Sequence, residues 1–219
     1  MRQAHLKSKN NRVRTTLAVL GAVSLLTTTI PAAAQTQLAA LPTKSEPVTF
    51  RGTAKPTQAW TDFCKRYPAE CVVNPSEPSV VELTPKLWQT LVAVNRKVNA
   101  DIKPMTDKEH WGVEDRWDFP DDGCGDCEDY QLLKRKLLAE SGVPRRAMRM
   151  TVVIDEEGAG HAVMMVRTTR GDLILDNKRN PVLPWHQTGY VYIKQEGQEA
   201  NMAWVSLGGA TSPAATANR

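Results

Sequence analysis

Histidine is scarce in this chain. Four occur in 219 residues. His5 lies in a leading basic stretch, which leaves His110, His161 and His186 as candidates for a general base. Acidic residues are missing altogether from residues 1–34, which carry Arg2, Lys7, Lys9, Arg12 and Arg14. The excess positive charge belongs to that segment. The whole chain has 28 basic and 24 acidic residues, a net of +4, and the remainder has 23 and 24, a net of −1. Such a balance excludes a nucleic-acid binder that relies on a basic surface. No second long apolar run follows Leu17–Leu26, and mean hydropathy is −0.40, which excludes a polytopic membrane protein. Gly-x-Ser-x-Gly, a phosphate loop and His-Glu-x-x-His are also missing.

What is present begins with a three-zone amino terminus. Basic residues precede the apolar Leu17–Leu26, and the small residues Pro31-Ala32-Ala33-Ala34 follow. This is the pattern of an export signal, with cleavage expected after Ala34. The competing reading, an uncleaved anchor, needs an apolar run of ~20 residues, longer than this one. The expected organisation is a signal peptide over 1–34, a flexible linker over 35–58, a folded domain over 59–206 and a disordered tail over 207–219. The linker expectation rests on a composition of Ala, Thr, Pro and Lys with no apolar period. An oxidising compartment sets how the four cysteines are read. Cys64 and Cys71 are expected to form a structural disulfide, and Cys124 and Cys127 make a Cys-x-x-Cys.

Within the domain, helices come first. Thr84-Pro85 starts a helix, and Leu87, Leu91, Val94, Val98 and Ile102 recur at helical spacing. Residues 103–122 read as a long ordered loop containing Trp111, Trp117 and Phe119. A second helix is expected from about Asp126 to Ser141, with Tyr130, Leu133 and Leu137 on its buried side and Gly142 as its stop. Short β-rich runs follow at 148–154, 161–168, 173–176 and 190–193, with 202–205 as a further strand. Helices followed by an antiparallel sheet give an α+β fold.

Gly125-Asp126-Cys127-Glu128-Asp129-Tyr130 places a thiol in the first turn of a helix, where unpaired N–H groups favour thiolate. His161 follows Gly158-Ala159-Gly160 and opens an apolar strand, and the next run ends at Asp176. Their separation is odd, which in a hairpin with an even loop puts both side chains on one sheet face. Cys127 then reads as nucleophile, His161 as the base and acid, and Asp176 as the group that orients the imidazole. The plainer alternatives are a satisfied, partly buried histidine and a turn aspartate. Asp126, Glu128 and Asp129 oppose thiolate formation, and a bound cation would offset them. The alternative is that these acids only cap the helix.

Asn95, Asn99, Asp107, Trp117, the segment 125–130, Lys134, Leu137, Gly142, Gly160-His161-Ala162 and Leu175-Asp176-Asn177 together resemble the bacterial transglutaminase-like cysteine proteinase family, in particular LapG-type periplasmic proteases. The resemblance covers about residues 84–205. It implies a papain-like core with N-terminal helices packed on an antiparallel sheet, and the Cys127, His161, Asp176 triad. It also implies a periplasmic location and calcium held by carboxylates at Asp126, Glu128 and Asp129. The implied partners are a large surface adhesin as substrate and an inner-membrane receptor that senses cyclic di-GMP. Cys124 departs from the family pattern, and a disulfide with Cys127 would remove the nucleophile. Other readings remain open here: a transglutaminase or amidase with the same triad, a thiol–disulfide oxidoreductase using Cys124 and Cys127, and a binding module whose cysteines hold metal or disulfides. Trp111, Trp117 and Trp185 are candidates either for a cleft wall or for the core.

Overall fold

The computed structural model describes residues 40–199 and 203–211. The expected signal peptide, the start of the linker and the end of the tail lie outside the described residues. Thr57 caps α1 (Gln58–Arg66) by accepting a hydrogen bond from Trp60 N at 3.1 Å. Cys64 in this helix is joined to Cys71 by a disulfide. Thr84 caps α2 (Pro85–Asp101) in the same way, accepting from Leu87 N at 3.1 Å. The buried stripe of α2 is Trp88, Leu91, Asn95 and Val98, a register that replaces the expected Leu87 and Val94. Asn95 displaces Val94 because it holds a loop described below.

Residues 103–122 hold more structure than the expected loop. Lys103–Pro104 forms β1, a two-residue strand. Asp107–His110 forms the one-turn α3, started by a capping box between Thr106 and Glu109. Cys124–Gly125 forms β2, which pairs in parallel with β1 just ahead of α4 (Cys127–Glu140). Gly142, at φ +88°, lies just beyond the end of α4.

The sheet follows: β3 (Met148–Ile154), β4 (Gly160–Thr168), β5 (Gly171–Leu175), β6 (Leu183–Pro184), β7 (Val191–Glu196) and β8 (Trp204–Thr211). Its order is β6-β5-β4-β3-β7-β8, antiparallel throughout. Met148, Met150, Met164, Val166, Leu173 and Leu175 pack with the helical residues Phe63, Leu91, Leu132 and Leu138. The alternate side chains, among them Val153, Val163, Met165 and Ile174, pack with Val48, Tyr190 and Tyr192. A third cluster, Val98, Ile102 and Tyr130 with Leu133 and Leu137, joins α2 to α4. The fold is thus α+β, with helices on an antiparallel sheet.

Two boundary expectations change. Within the expected linker, residues 40–57 are tied down. Val48 is 2% exposed and its N–H donates to Asp172 Oδ2 at 2.8 Å. Ser45 N donates to Arg170 O, Arg51 N to Ser206 O and Ala54 N to Trp204 O. Main-chain bonds hold this segment, so it shows no apolar period. At Gly171 a Cβ would lie 2.3 Å from Ser45 Oγ, so the approach needs glycine. The expected tail also begins too early, because β8 runs to Thr211 and pairs with β7. Small side chains at Gly208, Gly209 and Ala210 concealed a strand specified by main-chain pairing.

Candidate active site

Cys127 opens α4 and is half-buried. Its Sγ accepts a hydrogen bond from Ala162 N at 3.4 Å and donates to Glu128 Oε2 at 3.3 Å. The first contact brings the sulfur against β4 at the residue after His161. Among the described residues no direct sulfur–imidazole hydrogen bond forms; the thiol donates to Glu128 instead. Such bonds are commonly loose in enzymes without substrate. Burial pushes the Cys127 thiol well up, and the charges of Glu128 and Asp126 push it further, against the Ala162 N–H.

His161 and Asp176 meet directly. His161 Nε2 lies 2.9 Å from Asp176 Oδ1, and the two residues are 5% and 1% exposed. The pairing of Met164 with Leu175 puts them on one face of adjacent strands. Asp176 uses Nε2, so Nδ1 is the ring nitrogen left to exchange a proton. Tyr190 donates its hydroxyl to Asp176 Oδ2 at 2.5 Å, and Lys178 N donates to Oδ1 at 2.9 Å. Burial alone would raise the Asp176 carboxyl. The bonds from His161, Tyr190 and Lys178 N and the imidazole's charge outweigh it and hold the carboxyl below its ordinary value.

Two asparagines of α2 hold the main chain that carries Asp176. Asn95 Oδ1 accepts from Asp176 N at 3.1 Å, and its Nδ2 donates to Arg179 O and Asn180 O. Asn99 Nδ2 donates to Asp176 O at 2.9 Å. Lys134, two turns along α4 from Cys127, is fully buried, and burial pulls its ammonium down to about 7 against the attraction of Asp176.

Acidic residues crowd the start of α4. Oxygens of Asp107, Asp126 and Asp129 lie within 4.8 Å of one another, as do those of Asp107, Asp115 and Glu128. Burial, then the neighbouring carboxylates, raises Glu128 well above the usual range and Asp129 to about 8. Asp107 and Asp115 are raised for the same first cause. Asp129 caps α4 by accepting from Asp126 N at 3.4 Å and also accepts from Asp118 N of the preceding loop at 2.8 Å. Capping thus accounts for part of this crowding. It leaves Asp126 Oδ1 buried with no partner among the described residues. Hard carboxylate oxygens in this number fit a divalent cation such as calcium. Gly125 lets the cluster close, because a Cβ there would sit 2.7 Å from Asp129 Oδ2 and 2.8 Å from its Cβ. Gly125→Ala is therefore expected to cost about 1–3 kcal/mol of stability, read as a lower urea midpoint. An unchanged midpoint would contradict this packing.

Of the residues expected from sequence, His161 pairs with Asp176, Cys127 meets Glu128 and the Ala162 N–H, and Asp126 lies beside both Glu128 and Asp129. Sequence reasoning missed Tyr190, Asp115 and the Ala162 N–H. It also gave no metal role to Asp107, although that residue stood in the family pattern. His110 instead pairs with Asp122 at 2.7 Å and stacks on Trp111. Trp117 is buried in the core, Trp185 packs against Tyr192, and Trp111 is 41% exposed. Cys124 and Cys127 are both free thiols.

The family model for the bacterial transglutaminase-like cysteine proteinases matches residues 49–212, most of the chain. Among solved structures, calcium-bound LapG of Legionella pneumophila is similar at 25% identity and TM-score 0.47, over 60% of this chain and 73% of that one. LapG of the same organism is similar in a second structure at 23% identity and TM-score 0.48, over 62% and 74%. No curated protein matches. The span of the family match decides the assignment: the chain belongs to the bacterial transglutaminase-like cysteine proteinase family and is a cysteine peptidase.

Proposed function

We propose that the chain is an exported endopeptidase in which Cys127, His161 and Asp176 act as one catalytic unit. The observation that carries this reading is the buried His161–Asp176 pair at 2.9 Å on a strand whose next N–H meets Cys127 Sγ. In the reaction, Cys127 passes its proton to His161 and its sulfur attacks the carbonyl carbon of a peptide bond. The Cys127 N–H, at the start of α4, supports the oxyanion. His161 then gives the proton to the departing amine as the C–N bond breaks, leaving a thioester. Water, deprotonated by His161, attacks the thioester and releases the acid and the thiol. Asp176 holds the imidazole tautomer throughout.

Residues 1–34 serve as the export signal and place the enzyme in the periplasm; no helix among the described residues is long and apolar enough to cross a membrane. The substrate is a large surface adhesin, and an inner-membrane cyclic di-GMP receptor holds the enzyme. Both assignments rest on the resemblance of residues 84–205. Cells carrying His161→Ala should retain a surface protein that wild-type cells cut and shed. Equal shedding would refute the assignment.

Asp107, Asp126, Glu128 and Asp129 would hold calcium. The bound cation offsets the negative charge beside the thiol. Calcium at a hundredfold excess over its dissociation constant should stabilise the fold by about 2.7 kcal/mol, and a chelator should reverse both this and activity. A thermal midpoint indifferent to calcium and chelator would end the idea.

A further inference from the structure

A cavity of about 270 Å³, lined by none of the residues discussed above as catalytic or calcium-holding, opens between the end of α1's disulfide loop, α4 and the start of β3. Arg135, Arg145, Arg146 and Arg149 line it, with Glu70, Glu196 and Glu199 as the only carboxylates among the described residues. Four guanidinium groups therefore face three acids. Arg145 pairs with Glu70, and Arg146 Nη2 with Glu199 at 2.9 Å. Arg135 Nη1 donates to both oxygens of Glu196 at 2.9 Å. Glu196 is then saturated, because it also accepts from Trp60 Nε1 at 2.8 Å and Met150 N at 3.0 Å.

Arg149 is left without a carboxylate of its own. It is 2% exposed, and burial draws it down to about 10. Its Nη1 donates to Met148 O at 3.0 Å, and its Nη2 reaches the Gln198 side-chain oxygen at 2.8 Å once that amide is turned to face it. Arg149 Nε finds no acceptor among the described residues, and neither do Arg135 Nε and Nη2. Arg135 is itself 3% exposed, and Glu70 stands 4.0 Å from its Nη2. Buried guanidinium N–H groups without acceptors are costly. Four guanidinium groups around one cavity, one of them without a carboxylate, match the chemistry of an oxyanion. Trp60 and Met148 add an apolar wall. The volume suits a small molecule rather than a peptide chain.

We propose that this cavity binds a small phosphate-bearing molecule, with its oxyanion held by Arg149 and, at the rim, by Arg145. Inorganic phosphate is the probe. It is titrated into the full chain without added divalent cation, at constant ionic strength balanced with chloride. Binding is read from the phosphorus line width and the thermal midpoint. Wild type should show saturable broadening with a matching rise in midpoint, and Arg149→Gln should show neither. Should Arg149→Gln fail to fold, Arg145→Gln at the more exposed rim should weaken phosphate by about tenfold. Cys127→Ala should bind as wild type does. A linear, unsaturable response would overturn the proposal, as would wild-type binding in both arginine variants. A parallel titration with citrate separates phosphate from polycarboxylates: saturation by citrate alone would also overturn it.

Discussion

Cys127→Ala is expected to lower peptide-bond hydrolysis by roughly 10⁴-fold or more while the protein stays folded. The chemical reason is that no other side chain can form the thioester. Cys124, the other free thiol, does not open α4. The structural reason is that the sulfur has few duties beyond chemistry. It accepts from Ala162 N, donates to Glu128, and otherwise lies among acids that oppose its ionisation. A methyl group removes two weak hydrogen bonds, a change of about 1 kcal/mol. The check is a rate on any substrate the wild type cuts, with the thermal midpoint recorded beside it. Residual hydrolysis near the wild-type rate would mean that another group is the nucleophile. Cys124→Ser should remain active, and if it were inactive the disulfide-exchange reading would return.

Asp176→Asn should act on both activity and stability. The carboxylate accepts from His161 Nε2, Tyr190 OH and Lys178 N, and Arg179 Nε stands 3.5 Å from it. An amide of the same size cannot accept at every one of these points, and its N–H₂ would favour the wrong imidazole tautomer. A fall in kcat of about 10⁴-fold is expected, with a stability loss of about 3–5 kcal/mol from breaking a buried pair. The pH dependence has a definite sign. The folded carboxyl lies below its ordinary value, so its stabilisation is complete above the unfolded value of about 3.9. That stabilisation drains away as pH falls through the folded value. The stability gap between wild type and Asp176→Asn should hold steady near neutral pH and close in acid. A gap that widened in acid would contradict the assignment.

Much of this was legible in the sequence because it lies in local patterns. Thr84-Pro85 announced α2, and Gly142 marked the end of α4. The odd separation of His161 and Asp176 put them on one face, because hairpin register follows from counting residues. What escaped depends on distant contacts. Tyr190 sits fourteen residues beyond Asp176, and no period in its neighbourhood announces a hydroxyl aimed at that carboxylate. Asp107 and Asp115 join the acids of α4 only because β1 pairs with β2 and folds the 103–118 segment back onto the helix. Val48 anchors a segment whose composition resembled a linker, since one buried valine and several main-chain bonds leave no periodic trace. Arg149 gave no signal either: an arginine in a β-rich run looks like a solvent-facing residue until its burial is seen.

The central claim is that sulfur, imidazole and carboxylate work as one unit. Iodoacetamide labelling at neutral pH, resolved by cysteine, tests it without knowledge of the substrate. With calcium present, Cys127 should alkylate far faster than Cys124, and both His161→Ala and Asp176→Asn should slow it sharply without changing Cys124. If Cys127 reacts no faster than Cys124, or if its rate ignores the loss of His161, these three residues do not form a catalytic unit.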